Sequence, residues 1–295
     1  MTEAQKQRDL FLLRIMAWLG VAATVLTVLL RVWLAPAVRD WETGLFTTGN
    51  AVIAMMVLVV AALFVLSKFV YMERQEIGGR PAIPMTVAFL AVGVAVMVLG
   101  VAELIPVIRT GLIPNAQTRA ASILGLLEIV FALLGGGALV RIGLVLAAEG
   151  ATRRGMAQWS ALAPALWMWF RLAAYEAAYT STVRMSDSFF YFVMFIVELV
   201  FLFKLARYTA GVGKTSMGVM LFWSMTTVMF SLSAPIVRLF MYLLQDSEAY
   251  LAGQQAGVAD AVIGLLALAT AVSLIRSAAQ PDYEEASPAD EESAE

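Results

Sequence analysis

Long apolar runs, separated by short charged or Gly- and Pro-rich segments, make up most of the chain. Each run has about 20 residues or more, the length that a helix needs to cross the hydrocarbon core of a bilayer. Within lipid such a run must be helical, because an unpaired backbone group there costs several kcal/mol. We therefore predict an all-α, polytopic integral membrane protein with eight transmembrane helices. The predicted spans are roughly 10–34, 49–71, 84–108, 120–148, 160–180, 187–208, 216–244 and 257–276.

The amino-acid composition is that of a membrane protein. Of the 295 residues, 61% are hydrophobic and 14% are charged, and the mean hydropathy is +0.82. A soluble domain is about half apolar and about a quarter charged. No stretch between the predicted spans is long enough for a separate soluble domain. The lipid bilayer is therefore the first partner that we expect.

Neither cysteine nor histidine occurs in the chain. The missing cysteine excludes disulfides and thiolate nucleophiles, and the missing histidine excludes His-containing triads, His–metal sites and imidazole proton relays. We predict that the protein is not an enzyme and has no catalytic residue, metal site or cofactor. No nucleic-acid-binding module occurs, so nucleic acid is not an expected partner.

Lysine and arginine residues are unevenly distributed between the two sides that the eight spans define. Cytoplasmic loops carry an excess of these residues. One side has twelve, including all four lysines: Lys6, Arg8, Arg14, Lys68, Arg74, Arg80, Arg153, Arg154, Lys204, Arg207, Lys214 and Arg276. The opposite side has five: Arg31, Arg39, Arg109, Arg119 and Arg184. We therefore predict that both termini are cytoplasmic.

Residues 279–295 differ from the rest of the chain because they carry seven acidic residues and no lysine or arginine. A segment with few apolar residues and a high net charge cannot form a packed core. We predict a disordered acidic cytoplasmic tail. The tail either keeps the protein soluble at the membrane surface or, together with the basic cytoplasmic loops, contacts a protein partner.

Two halves of the chain share a sequence pattern. Asn50 opens span 2 and Lys68 closes it, while Asp187 and Lys204 hold the same positions in span 6. One interpretation is a tandem duplication of four helices, with the two halves related by an axis along the membrane normal. The other is that apolar helices commonly end with a cation at the cytoplasmic interface. The duplication gives a first repeat at 1–152, a second at 153–278 and the tail at 279–295.

Spans 5 to 7 resemble a known group of proteins. Residues 166–172 read Leu-Trp-Met-Trp-Phe-Arg-Leu, followed by Ser-Asp at 186–187 and Leu-Phe-Lys-Leu-Ala at 202–206. This combination is similar to multi-span membrane proteins encoded in clostridial and related gut Firmicutes genomes, a group with no established activity. The resemblance implies a bacterial source and a multi-pass protein of the cytoplasmic membrane. It implies no catalytic residue.

Nine charged residues lie within or near the predicted spans, where each costs about 2.5–3.5 kcal/mol unless it is paired or hydrated. They are Arg31, Glu103, Glu128, Arg141, Arg171, Glu176, Glu198, Arg238 and Asp260. The topology places all but Arg141 in the outer half of the membrane or near its midplane. We predict an outer-half, mixed-charge cavity. Its ligand-binding candidates are Arg171, Glu198, Arg238, Glu128, Asp260 and Glu176.

Such a cavity predicts binding or transport of a small polar, charged or amphiphilic solute, or of a lipid headgroup. Arginine would grip a carboxylate or phosphate through two parallel hydrogen bonds. Ion-coupled transport is a second interpretation, with Glu198, Glu128 or Asp260 as proton carriers. In the alternative, the same charges only pair between helices, and the protein is a non-transporting sensor, scaffold or subunit of a larger membrane complex.

Span 7 has a polar face close to these charges. Ser224, Thr227, Ser231 and Arg238 recur at helical spacing, and Pro235 removes a backbone donor nearby. This pattern is typical of a polar pathway, and equally of hydroxyl groups that tighten helix packing.

Three consecutive glycines at positions 135–137 interrupt span 4. They indicate either an unwound, hinge-like segment or close packing against another helix.

Overall fold

The structure, a computed structural model, describes residues 3–38, 49–71, 83–110, 119–149, 160–178, 186–210, 216–245 and 257–279. These residues form eight α-helices and no β-strand. The helices are α1 (Glu3–Val38), α2 (Gly49–Lys68), α3 (Ile83–Thr110), α4 (Arg119–Glu149), α5 (Ala163–Ala178), α6 (Ser186–Thr209), α7 (Met217–Gln245) and α8 (Val258–Ala278). A short 3₁₀ turn, Ser160–Leu162, precedes α5. The predicted all-α fold is confirmed.

Five of these helices are long and apolar enough to cross a membrane. Their qualifying segments are Glu3–Trp33, Met85–Thr110, Arg119–Ala147, Met217–Val237 and Val258–Ala278. In α2 the apolar segment is the shorter Val52–Lys68, and α5 has only 16 residues. The membrane character is therefore supported by five helices, and the crossing of the bilayer by all eight stays a prediction.

Helix α7 occupies the centre of the bundle. In its most apolar window 72% of the residues are buried within the protein, against 28% in the window of α1. It packs against α1, α2, α6 and α8. Because α7 is surrounded by protein, its hydroxyl groups face other helices rather than lipid.

Helices α3 to α8 form a closed circuit of neighbours. Each of them packs against the next along the chain, and α8 also packs against α3. Helices α1 and α2 pack against each other and join the circuit mainly through α7. Side chains that project from α4, α5, α6, α7 and α8 can therefore meet inside one part of the bundle.

The glycine triplet lies within an uninterrupted helix. A Cβ atom on Gly136 would lie 2.6 Å from the carbonyl oxygen of Gly93 in α3, and one on Gly135 would lie 3.1 Å from Cα of Pro164 at the start of α5. A Cβ atom on Gly137 would meet nothing within 4 Å. Two of the three glycines thus allow close packing of α4 against its neighbours, as in other membrane helix pairs. The structure favours the packing interpretation over the unwound segment.

The start of α1, the end of α2 and the start of α7 meet at one end of the bundle. The backbone N–H of Tyr71 donates to Oδ2 of Asp9 at 2.9 Å, and Nη2 of Arg8 donates to the carbonyl oxygen of Phe69 at 3.1 Å. The hydroxyl of Ser216 donates to the carbonyl oxygen of Val70 at 3.2 Å. These bonds pair backbone groups of residues 69–71, just after α2 ends. We call this group the Asp9 junction.

Two predictions about domain organisation concern the tail and the repeats. The acidic tail lies outside the described residues, apart from Ala279. The division into two four-helix repeats, 1–152 and 153–278, stays a prediction.

Candidate functional site

Arg171 lies in the middle of α5, and its guanidinium group is buried inside the bundle. The residue is 6% exposed. Its Nη1 atom lies 2.7 Å from Oδ1 of Asp260, and its Nη2 atom donates to Oδ2 of the same carboxylate at 3.2 Å. The pair thus combines a close ion-pair contact with one charge-assisted hydrogen bond, which is stronger than a bond between neutral groups. It joins α5 to α8.

Asp260 has a second role at the start of α8. The backbone N–H of Gly257, which precedes the helix, donates to Oδ2 of Asp260 at 2.7 Å. An acidic side chain in the first turn also interacts favourably with the positive end of the helix dipole. Asp260 is fully buried. Its carboxylate therefore receives the Arg171 side chain and a backbone donor together.

Two further acidic residues approach Arg171 from other helices. Oε1 of Glu128, in α4, lies 3.9 Å from Nε of Arg171, and the Glu128 side chain is 15% exposed. Glu198, in α6, is fully buried and close enough to Arg171 and Asp260 to interact with both electrostatically. Four helices thus contribute one charged side chain each. We call Glu128, Arg171, Glu198 and Asp260 the charge cluster.

Glu198 differs from the other carboxylates in its hydrogen bonding. It lies beside the hydroxyl of Ser231 in α7 and the carboxylate of Asp260. Neither of its oxygens meets hydrogen-bond geometry with a described residue. A buried carboxyl group with such poorly formed hydrogen bonds carries a desolvation cost that its surroundings offset only in part.

Aromatic rings surround the guanidinium group of Arg171. Its central carbon lies 4.9 Å from the ring centroid of Phe195 and 5.9 Å from that of Trp167. Tyr175 meets Phe195 edge to face, with 5.1 Å between centroids. A cation over an aromatic face gains about 0.5–2 kcal/mol, more when water is excluded. These rings therefore help to keep Arg171 charged and immobile in an apolar setting.

The charge cluster has more acidic than basic groups. Three carboxyl groups face one guanidinium group. If all were ionised, the cluster would carry a formal charge of −2 within the bundle, which is costly at low dielectric. Protons or a cationic ligand would neutralise it. Among the described residues, no group of three or more carboxylates is arranged to hold a metal ion.

The structure brings together four of the six predicted site residues, namely Arg171, Glu198, Glu128 and Asp260. Glu176 lies five residues beyond Arg171 on α5, which places it about 140° around the helix, on a different face. The side chain of Arg238 lies outside the part that the structure describes.

The other charged residues of the predicted spans lie apart from the cluster or at its edge. Arg31, in α1, stacks over the ring of Phe190 in α6, with 4.0 Å from its guanidinium carbon to the ring centroid. Glu103 in α3 and Arg141 in α4 are exposed on the outside of the bundle. Glu103 still interacts electrostatically with Arg171 and Glu128.

The three hydroxyl-bearing members of the α7 polar face, Ser224, Thr227 and Ser231, are buried and differ in their roles. The hydroxyl of Ser224 donates to the carbonyl oxygen of Met220 at 2.9 Å, and that of Thr227 to Trp223 at 2.8 Å. These bonds stay within the helix. Ser231 is the described residue of this face that lies beside the charge cluster.

Sequence reasoning missed Asp9, the acidic centre of the Asp9 junction. It is fully buried. It stands among Lys6, Arg8 and Arg14, in a segment that the pattern assigns to the cytoplasmic interface. The signal in the sequence is a single acid inside a basic segment, one helical turn before the apolar Leu13.

No family model, curated protein or solved structure matches the chain. The resemblance to clostridial and gut Firmicutes membrane proteins, and with it the bacterial source, stays a prediction.

Proposed function

We propose that the protein binds and transports a small polar, charged or amphiphilic solute across a membrane, with the charge cluster as its binding site. The observation that carries this proposal is the convergence of one arginine and three acids from four helices in the buried interior. Such residues are expensive in a membrane protein and commonly mark substrate or ion pathways. The proposal includes eight spans, cytoplasmic termini and the cytoplasmic membrane of a bacterium.

The balance of charge favours a solute with a cationic group. Arg171 already makes two contacts with Asp260, so an anionic ligand would have to compete with that carboxylate. Glu198 and Glu128 make fewer contacts and add negative charge. An ammonium group would lower the formal charge of the cluster without breaking the Arg171–Asp260 pair. Free zwitterionic solutes and lipid headgroups both offer this chemistry.

A non-transporting role is the alternative, and one observation favours it. Asp260 both pairs with Arg171 and accepts the N–H of Gly257 at the start of α8. Charges arranged in this way fix the order and ends of helices without any ligand. The protein would then be a sensor, a scaffold or a subunit of a larger membrane complex. Its partner would contact the cytoplasmic loops or the acidic tail.

Ligand-dependent stability separates the two functions. The purified protein would be heated with choline, ethanolamine, acetate or inorganic phosphate, and native mass spectrometry would look for a co-purified mass. We expect choline or ethanolamine to raise the Tm, because a ligand that binds only the folded protein stabilises it. The Glu198→Gln variant should lose this shift. The Arg141→Ala variant, altered at an exposed position of α4, should keep it.

Two results would contradict the transport proposal. One is a chain without bound mass whose Tm responds to none of the four probes. The other is a shift that survives in both Glu198→Gln and Arg171→Lys, because the ligand would then bind elsewhere. Either result, with a large loss of stability in Arg171→Ala, favours the scaffold.

A further inference from the structure

We propose that Glu198 is a proton-binding residue in the interior of the bundle, while Arg171 and Asp260 remain a permanent ion pair. The proton forms the O–H bond of the Glu198 carboxyl group and leaves again as that bond breaks, with no other covalent change. As a coupling step this inference rests on the proposed function. The proton itself can be detected without any transport.

The different surroundings of two buried carboxyl groups carry this assignment. Asp260 makes an ion-pair contact with Nη1 of Arg171, accepts a hydrogen bond from its Nη2, and accepts the backbone N–H of Gly257. Glu198 is equally buried, yet neither of its oxygens meets hydrogen-bond geometry with a described residue. Three contacts therefore stabilise the ionised form of Asp260. The ionised form of Glu198 is stabilised mainly by the nearby positive charge of Arg171.

The charges around Glu198 act in both directions. Arg171 from α5 attracts a negative charge on Glu198, and Asp260 from α8 repels it. Glu128 from α4 approaches the Nε atom of the same guanidinium group and shares its positive charge. From α7 the described neighbour is the uncharged Ser231, and the 3₁₀ turn Ser160–Leu162 carries no charge. Among the described residues of the cluster, one cation therefore faces three acids, and ion-pair distances to it are found for Glu128 and Asp260.

The structure also provides acceptors for the proton of a neutral Glu198. The Ser231 hydroxyl and the Asp260 carboxylate both lie beside it. In addition, Pro235 stands four residues after Ser231 within α7. Because proline has no N–H, the backbone carbonyl of Ser231 lacks its usual helical donor. An ionised Glu198 can only accept hydrogen bonds, whereas a protonated Glu198 can donate one to an acceptor beside it.

Infrared difference spectroscopy tests this assignment. The intact protein in lipid nanodiscs would be titrated with acid and base, and the C=O stretch of protonated carboxyl groups recorded in H₂O and D₂O. We expect a pH-dependent band that is lost in Glu198→Gln and kept in Glu3→Gln, a matched change at an exposed acid in α1. A band that persists unchanged in Glu198→Gln overturns the assignment.

A second variant keeps the test decisive if Glu198→Gln does not fold. Ser231→Ala removes one hydroxyl beside Glu198 and should shift the frequency of the band, because that frequency reports hydrogen bonding to the carboxyl group. An unshifted band overturns the assignment.

The two proposals can fail separately. If the infrared band is present and no probe shifts the Tm, solute binding alone is refuted. If a probe shifts the Tm and the band is absent, the proton site alone is refuted.

Discussion

The Asp9 junction and the charge cluster both bury a carboxylate beside an arginine, and their chemistry differs. At the junction, Asp9 accepts one backbone N–H, and Arg8 lies 3.7 Å from its Oδ1 while remaining half exposed. In the cluster, Arg171 is buried and faces three acids. The first arrangement is local and its two charges balance. The second has an excess of negative charge and joins four helices.

This difference separates buried charges that pair with backbone groups from buried charges that do not. Asp9 accepts the backbone N–H of Tyr71, just beyond the end of α2. Asp260 does comparable work at the start of α8. Glu198 has no such structural contact among the described residues. A buried acid that satisfies no backbone group and exceeds the available cations is therefore the better candidate for a ligand or proton site.

Replacing Arg171 with alanine should have the largest effect. It leaves three buried acids without their cation, and breaking a buried pair in this way costs about 3–5 kcal/mol. We expect the free energy of unfolding, measured by reversible denaturation in mixed micelles, to fall by that amount. Arg171→Lys keeps the charge but not the two-point contact, and should lose less. A loss below about 1 kcal/mol for Arg171→Ala would show that the cluster is hydrated, like the exposed Arg8.

Adding a methyl group at Gly136 tests how tightly the helices around the cluster are held. Its Cβ would lie 2.6 Å from the Gly93 carbonyl oxygen, so the backbones of α3 and α4 must separate. Overpacking of this kind costs about 1–3 kcal/mol. Gly137→Ala is the matched control, because its Cβ meets nothing within 4 Å. It should be neutral or stabilise α4 by up to about 1 kcal/mol. Equal thermal unfolding of the two variants would argue against the close contact.

The smallest effect is expected at the Asp9 junction. Asp9→Asn keeps an oxygen that can accept the Tyr71 N–H and removes the charge, so we expect a loss of about 1 kcal/mol. The probe-induced Tm shift and the infrared carboxyl band should both remain. If either disappears, the junction and the charge cluster are coupled, and the contrast between them is wrong.

Much of the fold follows from the sequence because bilayer thickness and backbone hydrogen bonding leave few choices. A long apolar run in lipid must be a helix, and the eight predicted spans coincide with the eight described helices to within a few residues, apart from an N-terminal extension of α1. Single charges inside apolar runs are also conspicuous in a sequence. Arg171, Glu198, Glu128 and Asp260 were therefore identifiable as candidates.

Which of those charges meet was decided by the tertiary structure alone. Arg171 and Asp260 are 89 residues apart in the chain, and nothing in the sequence between them states that α5 and α8 come together. Membrane helices are apolar on faces that contact lipid and on faces that contact protein, so their periodicity does not identify their neighbours. For the same reason the sequence could not show that Asp9 is buried. Glu176, by contrast, lies about 140° around α5 from Arg171, as helical spacing alone indicates. Composition and hydropathy determined that this chain forms apolar helices for a membrane. Packing determined that one arginine faces three acids, because only the approach of the helices brings those charges together.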